Sequence, residues 1–398
     1  MKENTRDLYA ELGVSSTKAG VHKAIEGLSD GLFSGAFCKI VPVPSIFGEN
    51  RKYVQVLHSD GAGTKSNVAY LMKKEGYKDY LTLFSLLAQD VTVMNTDDMA
   101  AVGICNDIYI SNHIGRNANR ISDEDISAVI NGYTNFFDLM GTYGINIIET
   151  GGETADVGSY ITTMGLDAVT MGVMEKERVV DCSNIRPGQP IVGLSSYGKC
   201  KYENKYNSGI RSNGLTLAIN CMLNAKYRRY TEAWDNSLDR RKVFRGPYLL
   251  EEKLYGTGLT IGEALLSPTR TYLPIIKDVL NEPGLNIAGI IHCSGGGATK
   301  CVKFGQGIRY VKDNIIAVPP LFEAIQDTES IDDKNMFQTF NMGTGMEIVT
   351  LEHKDALAII KIAESYGVQA KIIGYTENSK DASCNEVVIK RDNHFIEL

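Results

Sequence analysis

Apolar positions in the first half of the chain follow two alternating rhythms. Tyr53–His58 (YVQVLH) alternates as a strand does, and Thr64–Glu75 takes helical spacing. Tyr80–Val102 is a long, mostly apolar helix that carries the polar cluster Asn95–Asp98. Ile108–Ser111 reads as a strand. Ser122 caps a helix reaching Met140, with Asp123, Glu124 and Asp125 in its first turn, where carboxylates favour the helix dipole. Ile145–Glu149 is a strand running into Gly-Gly-Glu-Thr, and Leu166–Met174 is another.

Charges then gather at Glu175–Asp181, and Arg186–Pro190 (RPGQP) is a turn signal. A boundary here gives an N-terminal domain over residues 1–180 and a C-terminal α/β domain over 181–398. The second pattern opens with strand Ile191–Ser195 and helix Asn213–Leu223. Residues 225–258 are polar and basic, hold the single tryptophan, and read as an insertion. Helix Arg270–Leu280 and strand Ile287–Cys293 follow. Strand Met346–Leu351, helix Lys354–Tyr366 and strand Ala370–Tyr375 predict a βαβ unit. The expected fold class is α/β (α+β), with two sheet-based domains.

Composition narrows the function classes. A chain of 398 residues is long enough for two cores that need no disulfide or zinc staple. Glycine is abundant (39) and proline scarce (10), which suggests tight turns and close backbone approach to ligands. The net charge of −7 gives no broad attraction to nucleic acid or an anionic membrane. None of the eight cysteines forms a C-x-x-C pair, so no metal or disulfide framework is visible. No apolar run reaches 18 residues, and the opening MKENTRDLYAELG lacks the apolar region of a secretory leader. A cytoplasmic location is expected.

The strongest local signal is Ser59-Asp60-Gly61-Ala62-Gly63-Thr64-Lys65, which follows a strand and opens a helix. Its glycines let a ligand approach the backbone, the helix start offers free N–H groups to phosphate, and Lys65 adds a cation. It is neither a Walker A loop nor a G-x-G-x-x-G fingerprint, and a plain glycine turn would look much the same. Asp97 and Asp98 interrupt an apolar stretch, either as a solvated break or as carboxylates delivered to a metal. Gly151-Gly152-Glu153-Thr154 ends a strand, a common place for a ligand in α/β proteins or for an exposed turn. If Asp60, Asp98 and Glu153 converge, they repel: two carboxylates about 5 Å apart cost roughly 3 kcal/mol at an effective dielectric near 20. A Mg²⁺ ion bridged to phosphates removes that cost. In the second half, Ser212 is a good N-cap, and Ser294-Gly295-Gly296-Gly297 leaves N–H groups free for an anion nest. His292 just before it reads more readily as structural than as catalytic. The glycines of Phe340–Met346 are explained by a turn alone.

Taken in order, these segments resemble the aminoimidazole ribonucleotide synthetase (phosphoribosylformylglycinamidine cyclo-ligase) family. SDGAGTK is similar to the family's T-D-G-V-G-T-K, and TDDMAAVG to N-D-L-x-x-x-G, with Asp97 in place of Asn. GGETA matches unchanged, and MGVMEK is similar to V-G-V-V-E-K. RSNG stands where the family has H-S-N-G, LSPTRTY resembles L-A-P-T-R-I-Y, and HCSGGG resembles H-L-T-G-G-G. TFNMGTGM is similar to T-F-N-C-G-V-G-M, and the opening LYAELGV with a later KAG is like the family's start. No single motif decides, but eight collinear ones are specific.

The resemblance implies an ATP- and Mg²⁺-dependent enzyme acting on a ribonucleotide in purine biosynthesis. ATP would activate the formyl amide oxygen of formylglycinamidine ribonucleotide, and the substrate's own nitrogen would close the imidazole ring. It also implies a homodimer whose N-terminal strands meet across the interface. Residue by residue, Asp60, Asp98 and Glu153 are expected to hold Mg²⁺. Asp60, Gly61, Gly63, Thr64, Lys65, Gly151, Gly152 and Thr154 are expected to form the ATP site. Ser212, Asn213, Gly295, Gly296 and Gly297 are expected to bind substrate. Lys65, Asp98 and Arg211, which replaces the family histidine, are the expected catalytic residues. The competing readings are a selenophosphate synthetase or thiamine-monophosphate kinase type of enzyme, and a non-catalytic nucleotide-binding protein on the same fold.

Overall fold

The computed structural model describes residues 9–14, 24, 29, 31–44, 52–392 and 394–398. The Lys18–Gly20 part of the opening similarity lies outside them.

The first half supplies β1 (Ile40–Pro42), β2 (Tyr53–Gly61), α1 (Lys65–Lys74), α2 (Tyr80–Ala100), β3 (Ile108–Arg116), α3 (Asp123–Thr142), β4 (Ile147–Asp156) and β5 (Met164–Glu175). The five strands form one sheet in the order β1-β2-β5-β3-β4. Only β3 and β4 pair in parallel. Period-two alternation decides which face is covered. Val54 and Val56 are buried, whereas Leu57 stands outward. Helix α2 lies on the covered face, packed on β2, β5 and α3. It is buried nearly all round, as its almost unbroken apolar sequence requires. Ser122 and Asp125 complete the capping box that starts α3. Gly132 of α3 admits the backbone of α2, because a Cβ there would meet the Ser85 carbonyl oxygen at 2.1 Å.

The second half supplies β6 (Pro190–Ser195), α4 (Leu215–Met222), α5 (Ile261–Leu265), α6 (Leu273–Asn281), β7 (Ile287–His292), β8 (Ile308–Lys312), α7 (Pro320–Glu329), α8 (Asp333–Thr339), β9 (Thr344–Thr350), α9 (His353–Ser365), β10 (Ala370–Asn378), β11 (Glu386–Arg391) and β12 (His394–Glu397). Seven strands form the second sheet, ordered β12-β11-β8-β10-β6-β9-β7. The two sheets divide between Glu175 and Pro190. The expected βαβ unit is present in split form. β9 and β10 run parallel with α9 between them in sequence, but β6 lies between them and pairs antiparallel with both.

A correction concerns Gly-Gly-Glu-Thr. The segment is not a turn: β4 runs through it to Asp156, still paired with β3. Between Glu149 and Gly152, β4 carries one residue more than the facing Ile110–Asn112 stretch of β3, and Gly151 at φ +88° lies within that bulge. Residues 225–258 contain short 3₁₀ turns and are strapped to α1. Glu75 accepts the Tyr230 hydroxyl at 2.7 Å and pairs with Lys226 and Arg229, while Tyr70 donates to Glu232 at 2.6 Å.

One loop makes several of the buried contacts between the two halves. Asp90 of α2 accepts the Thr269 N–H (2.8 Å) and hydroxyl (2.6 Å). Seven residues on, Asp97 accepts the Thr271 hydroxyl at 2.8 Å and the Tyr272 N–H at 3.1 Å. Thus the Pro-Thr-Arg-Thr segment hangs on two buried aspartates two helical turns apart.

Candidate functional site

Glycine geometry builds a cavity of about 220 Å³ between the halves, lined by Gly63, Thr64, Ser212, Asn213, Gly295 and Gly296. Gly63 takes φ +60° to turn the chain from β2 into α1, and Gly214 takes φ +79° to start α4. Two helices therefore begin at this cavity, and their first-turn N–H groups give it the character of an anion site. The Thr64 and Thr216 hydroxyls lie 3.3 Å apart across it, and the Tyr9 hydroxyl accepts the Gly214 N–H at its edge.

Behind the cavity runs a buried polar chain. Arg211 sits at φ +58°, an uncommon conformation for a residue with a side chain. Its guanidinium holds it there, donating to the Gly345 carbonyl at 2.7 Å and meeting His292 Nε2. Gly345 must be glycine, because a Cβ would lie 2.6 Å from Arg211 Nη1. His292 Nδ1 in turn meets Asp98 Oδ1, and His58 Nε2 lies 3.0 Å from Asp98 Oδ2. Burial and the Arg211 charge push His292 down to about 4, so it is neutral at pH 7. Burial alone would raise the Asp98 carboxyl, but the two imidazoles outweigh it and hold it well below the usual carboxylate range. Burial pushes neighbouring Asp97 up to about 7.

The cavity unites Gly63 and Thr64 of the expected ATP set with Ser212, Asn213, Gly295 and Gly296 of the expected substrate set. Gly297 is buried behind it; a Cβ there would meet the Phe340 carbonyl at 2.2 Å. Gly61 serves packing, since a Cβ would lie 2.2 Å from Asp167 Oδ1 on β5.

Other expectations change. Lys65 does not reach the cavity. It is wholly buried, with Nζ donating to Asp90 Oδ1 (2.6 Å) and the Ser267 carbonyl (2.5 Å). Arg211 is also buried, with its guanidinium on the Gly345 carbonyl and His292. Gly151, Gly152, Glu153 and Thr154 lie on edge strand β4. Strand pairing puts Glu153, His113 and Asp167 in one row on the outer face of the first sheet. Asp98 is on the opposite, helix-covered face, where it meets His58. One chain therefore does not bring Asp60, Asp98 and Glu153 around a common ion. Asp98 Oδ1 is engaged by His292, and the atoms around the carboxylate include nitrogen and sulfur, a poor set for Mg²⁺, which prefers an all-oxygen shell. Asp60, whose Oδ1 accepts the Gly61 N–H at 2.7 Å, is the one acid of the three next to the cavity loop.

Sequence reasoning passed over His58 and Cys38 and set His292 aside. One signal was available: an aspartate on a nearly all-apolar helix must find buried partners.

The family described as "AIR synthase related protein, C-terminal domain" matches residues 186–385. A phosphoribosylformylglycinamidine cyclo-ligase of Methanococcus maripaludis strain C6 is 30% identical over 330 residues, covering 82% of this chain and 79% of the relative. That of Methanocaldococcus jannaschii is 28% identical, covering 86% and 85%. Among solved structures, "T. maritima PurL complexed with FGAR" matches with a TM-score of 0.53 at 14% identity, over 94% of this chain and 47% of that one. This chain thus spans about half the length of that protein. A HypE–HypF complex structure also gives 0.53 at 14% identity, over 96% and 99%. At such identity both show the fold alone. No helix among the described residues is long and apolar enough to cross a membrane. Sequence identity sustained over both halves and the C-terminal match agree, and the chain belongs to the phosphoribosylformylglycinamidine cyclo-ligase (AIR synthetase) family, enzymes that form a carbon–nitrogen bond.

Proposed function

We propose that this enzyme uses ATP to close formylglycinamidine ribonucleotide into aminoimidazole ribonucleotide. The observation that carries the reading is the cavity where two helices begin, with the Gly63–Thr64 loop on one wall and the Ser212–Asn213 and Gly295–Gly296 loops on the other. In this reading Gly63, Thr64 and the start of α1 take the nucleotide phosphates, beside Asp60. Ser212, Asn213 and the Gly295–Gly296 backbone take the ribonucleotide phosphate. Mg²⁺ enters with the nucleotide, and the only chain ligand assigned to it is Asp60.

The chemistry asks little covalent work of the protein. The amide oxygen takes the terminal phosphoryl group of ATP, and ADP leaves. The substrate nitrogen then bonds to the activated carbon and the carbon–oxygen bond breaks, releasing phosphate and a proton. Ring closure is intramolecular, so orientation supplies much of the rate. The Asp98–His292–Arg211 chain serves that end by fixing the backbone that presents Ser212 and Asn213. A homodimer is part of the proposal, supported by the apolar residues Leu57, Tyr109, Val169 and Val173 on the open face of the first sheet.

The test is a turnover assay with purified protein, formylglycinamidine ribonucleotide and Mg·ATP. Stoichiometric ADP and aminoimidazole ribonucleotide support the reading. ATP bound without turnover of this substrate would favour a non-catalytic binding protein.

A further inference from the structure

The misfit of the Asp98 surroundings to magnesium has a positive counterpart. Cys38, in the loop before β1, His58 on β2 and Asp98 on α2 each offer one ligand atom, and those atoms lie within 4.8 Å of one another. Cys38 Sγ is 3.8 Å from His58 Nδ1 and donates to the Asp98 carbonyl at 3.2 Å. The thiol and the carboxylate are buried, whereas the His58 side chain keeps about a quarter of its exposure, which leaves an entry path. His58 Nε2 is buried without a well-aligned hydrogen bond, although it stands 3.0 Å from Asp98 Oδ2.

We propose that Cys38, His58 and Asp98 form a three-ligand site for a divalent transition metal of the zinc class. The donor chemistry selects the ion. Thiolate and imidazole favour zinc or cobalt over magnesium or calcium, and three protein ligands leave a fourth tetrahedral position open. His292 Nδ1, on the other oxygen of Asp98, supplies the outer hydrogen bond that orients a ligating carboxylate. Binding converts Cys38 from thiol to thiolate, so one proton leaves as the sulfur–metal bond forms. Thiolate, carboxylate and dication sum to zero. Asp60 and Lys300 are the other charged groups within electrostatic reach of the sulfur, and they oppose each other. The bland alternative is a buried thiol satisfied by the Asp98 carbonyl.

The experiment strips the full-length protein with chelator and titrates it with Co²⁺ without nucleotide. The expected result is a near-ultraviolet thiolate-to-cobalt band, with tetrahedral visible bands, that saturates at one Co²⁺ per chain. Cys38→Ser should abolish it, His58→Gln should weaken Co²⁺ binding at least tenfold, and Cys384→Ser, at the one exposed cysteine, should leave it unchanged. No thiolate band at one equivalent, or a band retained in Cys38→Ser, overturns the site. If Cys38→Ser does not fold, His58→Gln decides alone: unchanged cobalt affinity overturns the proposal.

Discussion

Asp98 and His292 are 194 residues apart in sequence, yet the carboxylate of one and the imidazole of the other are direct partners across the two halves of the chain. Arg211 sits on the far nitrogen of the same ring. This chain of contacts, rather than a turn preference, holds the Arg211 backbone in its left-handed conformation and so places Ser212 in the cavity. Arg211→Ala should therefore raise KM for the ribonucleotide at least tenfold while changing kcat much less. Arg211→Lys should not rescue it, because the two guanidinium contacts diverge toward Gly345 and His292. Steady-state kinetics on both variants checks this. An unchanged KM with a collapsed kcat would make Arg211 catalytic instead.

Lys65 offers a sharper contrast between a ligand-binding and a structural role. Its ammonium is sealed between Asp90 and the Ser267 carbonyl, so removing it leaves a buried carboxylate short of a partner. Lys65→Met should cost about 3–5 kcal/mol of folding stability. Adding Asp90→Asn should recover much of that, since the amide oxygen still accepts from Thr269. Denaturant unfolding of the single and double variants measures both. A Lys65→Met protein of normal stability that fails to bind nucleotide would return Lys65 to the phosphate site.

Much of the fold was legible because periodicity reports burial. The strand at Tyr53–His58, which the structure carries on to Gly61, and helix α2 both follow from which residues avoid water. Pairing order is set by contacts distant in sequence, and so β6 between β9 and β10 left no local trace. Gly151–Gly152 misled for a related reason. Glycines usually end a strand, but here the paired β3 carries β4 through them. At the site, the loops that line the cavity were recognisable from their glycines, whereas Lys65 was not. A lysine at a glycine-rich helix start looks the same whether it faces phosphate or a buried aspartate on another helix. His292 and His58 were invisible as a pair because nothing local in a sequence says that two histidines share one carboxylate.

Asp97 gives the metal-free protein a pH signature. Its carboxyl, at about 7 in the folded state against roughly 3.9 unfolded, keeps its proton in the native protein over that interval while the unfolded chain releases it. Native protein then binds more protons, so this group's contribution to stability falls as pH rises from about 4 through 7. His292 works the other way. Held down to about 4, it stays neutral while the unfolded ring protonates below about 6.5, and stability is lost as pH falls through that window. Asp97→Asn removes the first effect and keeps an acceptor for Thr271 and Tyr272. The variant should match wild type near pH 4 and exceed it increasingly up to pH 8, by at most about 4 kcal/mol. Chemical denaturation in chelator across that range checks the sign. A difference that does not grow with pH would mean Asp97 is ionised throughout.

The open face of the first sheet makes the last prediction. Register places Leu57, Met171 and Tyr109 in one row across β2, β5 and β3, with Val173 and Val169 to either side on β5. Leu57 is 65% exposed and Val173 48%, on strands whose opposite face is packed under α2. Apolar surface of this kind, at about 25 cal/mol per Å², is most simply covered by the same face of a second copy, because a two-fold axis makes any such patch complementary to itself. Wild-type protein should sediment as a dimer at micromolar concentration, and Leu57→Glu with Val173→Glu should sediment as a folded monomer. No residue lining the cavity between the halves lies on β2 or β5, although the Gly63–Thr64 loop follows β2 directly, so ATP binding by the variant is the control that lets a loss of activity measure what the second copy contributes. A monomeric wild type would leave this face for a different partner and remove the homodimer from the proposed function.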